Sequence, residues 1–135
     1  MVDFDRLFYT CSLIEYIGRI TKNRRKYIVE RIGVEGIARI YEYSDILHCE
    51  RIESVADNYI KLCKIKKGKF DNVAKCRYRV PSYWDIGKVY ARLIRDIGNE
   101  PIEGIVEAYN SWIADKIDDY NIAVYYMSPE YIFKS

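Results

Sequence analysis

Apolar side chains in this chain recur at steps of three and four through segment after segment, and glycine or proline interrupts the pattern. That periodicity predicts amphipathic helices stacked around one core. Leu7, Cys11, Ile14 and Ile17, widened by Phe8 and Leu13, predict a helix over 4–20, with Asp3 or Asp5 able to cap it. A second helix over 23–32 follows Asn23, places Tyr27, Ile28 and Ile32 on one side, and ends at Gly33, the residue best suited to a left-handed cap. Ile37, Ile40, Tyr41 and Leu47 extend a third from Val34 to about His48. Ile52, Val55, Ala56, Tyr59, Ile60 and Cys63 predict a fourth over 52–64, with Ser54 as an alternative start.

Between 65 and 81 the periodicity fails. The stretch is basic, carries turn residues, and ends at Pro81, which lacks an amide donor and restricts Val80. We expect a long basic loop there, with a short strand around Arg77 to Val80 as an option. Ser82 followed by Asp85 imitates a capping box and predicts a helix over 83–97, stopped by Gly98. Asn99 can cap the next segment, and Pro101 suits a first turn. Ile102, Ile105, Val106, Tyr109, Trp112, Ile113, Ile117 and Tyr120 predict one long helix over 100–120. Apolar positions then alternate over 122–127, and Ser128-Pro129-Glu130 could start a short final helix. The expectation is an all-α protein, a compact bundle of about six helices forming a single domain over 1–135.

The length, 135 residues with half of them apolar and 31% charged, suits one independently folding core. No run of 18 apolar residues occurs, and Met1-Val2-Asp3-Phe4-Asp5-Arg6 lacks the basic start of a secretion signal, so we expect a cytoplasmic protein with no membrane association. The four cysteines, Cys11, Cys49, Cys63 and Cys76, form no CxxC pair. The single histidine, His48, stands beside Cys49. Buried thiols are expected rather than disulfides or a zinc site, and no cofactor.

The net charge of +2 conceals a segregation. Residues 19–31 carry six basic side chains against Glu30, and residues 61–79 carry eight against Asp71. Residues 100–120 reverse the sign, with six carboxylates against Lys116. Such fields can steer partners of opposite charge to different faces.

Motifs for phosphate cradling, dinucleotide binding, zinc hydrolysis and the nucleophile elbow are missing from the sequence, so we expect no enzyme activity. His48 and Cys49 diverge by about 100° on a helix and cannot share a reaction centre. Asp115, Asp118 and Asp119, near a helix end, could bind a cation but are expected to face water. The alternative to a protein partner is nucleic acid, bound through segments 22–31 and 61–79, with Phe70, Tyr78 and Tyr83 available for stacking. Arg24-Arg25-Lys26-Tyr27 and Gly33 outline a helix-turn-helix. However, its second helix would bury residues six and nine beyond the glycine, which are Arg39 and Glu42.

Fourteen tyrosines and two tryptophans supply recognition area at low ordering cost. Tyr16, Tyr41, Tyr59, Tyr90, Tyr109 and both tryptophans are expected to line the core. Tyr120, Tyr125, Tyr126 and Tyr131 are harder to bury. The candidate partner-binding residues are therefore Arg24, Arg25, Lys26 and Tyr27 with Tyr125, Tyr126 and Tyr131.

Phe8-Tyr9-Thr10-Cys11 with Glu15-Tyr16, Gly33 before Ile40-Tyr41 and Asp45-Ile46-Leu47-His48, and Ala56-Asp57-Asn58-Tyr59-Ile60 carry a resemblance. Over 8–60, less than half the chain, the sequence resembles a small uncharacterised bacterial helical family often encoded beside ADP-ribosyltransferase-like toxin candidates. The shared residues are mostly helix-packing positions, so the resemblance implies fold more than chemistry, and no catalytic residue carries over. It implies an antitoxin-like or accessory role beside a toxin-like enzyme.

Overall fold

The computed structural model describes residues 3–98 and 100–121, and over them the chain is all-α, with eight helices and no strand. Among these residues no helix is long and apolar enough to cross a membrane. Helix α1 (Phe4–Thr21) begins where the Asp3 carboxylate accepts the Arg6 amide at 3.3 Å. Every residue from Tyr9 to Glu15 is buried, so α1 is enclosed on all sides rather than along one stripe. Helix α2 (Arg25–Glu42) and helix α6 (Tyr83–Ile97) flank it, and α1 makes its most extensive contact with α6.

The α1–α6 contact is close because Gly87 lies against Ser12. A Cβ at position 87 would stand 2.7 Å from the Ser12 Cα and backbone nitrogen. Helix α6 presents Ile86, Tyr90, Leu93 and Ile94 inward, while Arg92, Arg95 and Asp96 stay in water. Its start is the expected capping box: the Ser82 hydroxyl accepts the Asp85 amide, and Asp85 accepts the Ser82 amide, each at 3.0 Å. Its end is the expected glycine, Gly98, at φ 79°.

Gly33 does break the second predicted helix, at φ 78° and ψ 165°, but helical geometry resumes at once, so α2 is one kinked element. The third predicted helix, over 34–48, becomes the far half of α2 and a separate turn, α3 (Ser44–Leu47). Helix α4 (Ile52–Leu62) starts at Ile52, so Ser54 is inside it. The 65–81 segment contains a one-turn helix, α5 (Asn72–Lys75), whose Ala74 amide is held by Asp71 at 2.9 Å, and residues 77–80 form no strand.

The long helix expected over 100–120 is two: α7 (Pro101–Asn110) and α8 (Trp112–Asp118). Ser111 separates them at ψ 167°, its hydroxyl donating to the Ala108 carbonyl at 2.7 Å and so competing with helix continuation. The Glu100 carboxylate caps α7 by accepting the Ile102 and Glu103 amides at 3.1 and 2.9 Å. The bend at Ser111 brings α8 back against α2. The expected alternation over 122–127 and the Ser128-Pro129-Glu130 helix start lie outside the described residues.

Tyr90 and Tyr109 are fully buried and stack at 3.9 Å between centroids. Tyr16, Tyr41 and Tyr59 are half-buried, but Trp84 and Trp112 are exposed, contrary to expectation, because each lies in the first turn of its helix, Trp84 at the second position and Trp112 at the first, at the edge of the packed face. The thiols are free: Cys11 is buried, Cys63 and Cys76 are half-buried, and Cys49 is exposed against expectation because it follows α3 on the surface.

Candidate functional site: a basic rim over a buried ion pair

Segments 19–31 and 61–79, the two basic stretches of the sequence, meet in space. The Gly68 amide donates to the Thr21 carbonyl at 2.7 Å and the Phe70 amide to the Lys22 carbonyl at 2.8 Å. The Asn23 amide group donates to the Lys66 carbonyl at 2.7 Å. This seam demands glycine at 68, where a Cβ would fall 2.5 Å from the Lys22 carbonyl oxygen. Lys22 adopts φ 56°, which turns the chain out of α1 and onto the seam. The Lys22 ammonium meets Asp71 at 3.7 Å, and the Arg24 guanidinium lies over the Phe70 ring at 4.4 Å. All eight basic side chains of 61–79 are exposed, as are Arg24 and Lys26, and at the seam the two segments bring exposed cations beside one another.

A cleft of about 590 Å³ opens in that face between Arg24, Phe70, Lys75 and the end of α8. Its opposite wall is acidic. Arg24 reaches Asp115 at 3.6 Å and Asp118 at 3.8 Å. Asp115 and Asp119 face water as expected. Asp118 does not: it is buried because the bend at Ser111 turns this end of α8 inward, and its Oδ1 has no hydrogen-bond partner among the described residues.

Beneath the cleft is a buried polar network. Arg25, predicted as a partner contact, is fully buried, so it cannot meet another chain. The first turn of α2 points it into the core, where its Nε pairs with Glu15 at 3.2 Å. Its other nitrogens donate to the Asn23 carbonyl at 2.9 Å, the Tyr120 hydroxyl at 3.1 Å and the Asn72 side-chain oxygen at 3.5 Å. Asn72 in turn donates to the Asp118 carbonyl at 3.1 Å, and the Tyr109 hydroxyl donates to Glu15 at 3.0 Å. The guanidinium lies against Gly18, where a Cβ would come within 2.4 Å of the Arg25 Cδ.

Of the other predicted contacts, Arg24 and Lys26 are exposed and Tyr27 is half-buried against the core. Tyr120 is buried, its hydroxyl taking hydrogen bonds from Arg25 and from Arg19 at 3.2 Å. Tyr125, Tyr126 and Tyr131 lie outside the described residues. The sequence expectation passed over Glu15 as part of the site. Its signal was a carboxylate one turn beyond Cys11 on the apolar side of α1.

Burial raises the Glu15 carboxyl, and the Arg25 charge and the Tyr109 hydroxyl oppose that rise. Burial, then the nearby Glu15 charge, pushes Asp118 up to about 7 against the pull of Arg25 and Arg24. A carboxyl raised in the folded state binds its proton more tightly there than in the unfolded chain. The domain should therefore lose stability as pH rises from about 4 to about 7, by at most ~4 kcal/mol for the Asp118 shift. Denaturant titrations across that range should show a shallower decline in Asp118→Asn, and an equal slope in the variant would refute the assignment.

No protein-family model, curated protein or solved structure matches the chain.

Proposed function

We propose that the chain is a non-enzymatic cytoplasmic interaction domain whose basic face receives an acidic surface of another protein, in an antitoxin-like or accessory role beside a toxin-like enzyme. The carrying observation is the seam that merges segments 19–31 and 61–79 into one exposed cationic face over a rigid buried network. Clustered charge accelerates encounter, and the Phe70 ring under Arg24 keeps one guanidinium presented rather than free to wander. The resemblance over 8–60 names the product of a neighbouring toxin-like gene as the partner to try first.

Reversing Lys26 and Lys67, both exposed, to glutamate, with Arg24 and Arg25 left in their ion pairs, should weaken binding to that gene product at least ~tenfold at low salt while the circular dichroism melt stays unchanged. Unchanged affinity removes this face from the interaction. The nucleic-acid alternative draws on the same face, specifically the eight exposed cations of 61–79 beside the exposed Tyr78. It predicts anisotropy binding to single-stranded RNA or DNA with a steep salt dependence, and no binding at low salt dismisses it.

A further inference from the structure

A second cleft, of about 480 Å³, lies elsewhere on the domain, where the start of α1 meets α3 and α6. Its size falls in the range of small-ligand sites. Three carboxylates line it, Asp3, Asp5 and Asp45, against one permanent cation, Arg6. Arg6 is shared: its Nε pairs with Asp3 at 3.3 Å, one terminal nitrogen stands 3.9 Å from Asp45, and the other donates to the Tyr41 and Glu42 carbonyls. Asp5 is exposed and has neither an ion pair nor a hydrogen bond among the described residues, so the cleft keeps an excess of negative charge.

The cleft is also aromatic. Phe8 and Trp84 line it edge to face at 5.5 Å between centroids, with Trp84 partly open to solvent. The rings continue to Tyr83 at 5.2 Å from Trp84 and to Phe4 at 6.2 Å from Phe8. Tyr9, another lining residue, is 5% exposed, yet its hydroxyl has no hydrogen-bond partner among the described residues. An orphaned buried hydroxyl is costly in a finished core, and the residue that carries it is one of those lining this cleft.

We propose that this cleft binds an organic cation, a guanidinium or primary ammonium on an alkyl arm, with the arm against Phe8 and Trp84, the head among Asp5 and Asp45, and a ligand N–H donating to the Tyr9 hydroxyl. Rings with carboxylates at their edge favour a cation that is also partly apolar, because such a cation gains ring contact and charge pairing and loses less hydration than a small metal ion. The site is separate from the basic face and of opposite sign.

Trp84 reports on its own cleft once Trp112→Phe leaves it the single tryptophan. Titrating that variant with butylguanidinium, and in parallel with a Gly-Arg-Gly peptide blocked at both ends, should give saturable changes in Trp84 fluorescence. A blocked Gly-citrulline-Gly peptide should give none. Tighter binding of the peptide identifies a basic side chain of a partner as the source, and tighter binding of butylguanidinium identifies a free small molecule. Asp5→Asn with Asp45→Asn should raise Kd at least ~tenfold, and Tyr9→Phe ~threefold. Both carboxylates are exposed, so the double variant should melt like the parent. No saturable change up to ~10 mM of either cation, or a Kd unmoved by the double variant, overturns the proposal. Neither result bears on the basic face, whose test uses different residues.

Discussion

Replacing Arg25 with methionine should lower the unfolding free energy by about 3–5 kcal/mol, the largest loss we expect from one side chain. The guanidinium is fully buried and, among the described residues, is the only cation paired with the buried Glu15. Without it the carboxylate keeps the Tyr109 hydroxyl at 3.0 Å and, among the described residues, nothing of opposite charge within ion-pair distance. The carboxyl would then be held protonated, so the loss should be smaller at acidic pH and grow as pH rises. Pairing Arg25→Met with Glu15→Leu should recover part of the loss, because the desolvation of both charges disappears together. Chemical denaturation of both single variants and the double variant measures the coupling. A loss of under 1 kcal/mol in Arg25→Met would mean the pair is not buried as described.

The second large effect is expected at Gly87. Placing alanine in the middle of a helix normally adds up to about 1 kcal/mol of stability over glycine. Here the new Cβ would lie 2.2 Å from the Ser12 Oγ and 2.7 Å from the Ser12 backbone. A hydroxyl can rotate away, but the backbone of α1 cannot move without disturbing the contacts it makes along its whole length. We expect Gly87→Ala to cost about 2–3 kcal/mol and to lower the melting temperature by roughly 10 °C, the overpacking outweighing the propensity gain. Adding Ser12→Ala should recover little, since it removes the oxygen and leaves the backbone collision. A melting temperature at or above the parent's would show that α1 and α6 do not approach this closely.

Much of the local structure was legible. Ser82 and Asp85 satisfy each other's amides next to one another in the chain, and Gly98 relieves a left-handed turn at its own position, so neighbouring residues alone dictate where α6 starts and stops. The break at Ser111 was not legible, because Tyr109, Trp112 and Ile113 keep a helical spacing across it and nothing in that spacing marks the competing hydroxyl. The basic patch was legible as two separate runs. Their merging was not, since it depends on backbone hydrogen bonds between residues more than forty positions apart, such as Phe70 to Lys22 and Gly68 to Thr21.

Arg25 shows the division most clearly. Arg24, Arg25 and Lys26 look equivalent in the chain, each a cation on a short basic run. On the helix they point in directions about 100° apart, and only the partner elements decide which direction is inside. Glu15, Asn72, Tyr109 and Tyr120, scattered from α1 to the turn after α8, together make the interior polar enough for one of the three. The sequence by itself determined the all-α class, the caps and the local charge, because those depend on period and on neighbours. Tertiary structure alone decided which charges are buried and which form a surface, because desolvation depends on every element that closes over a side chain.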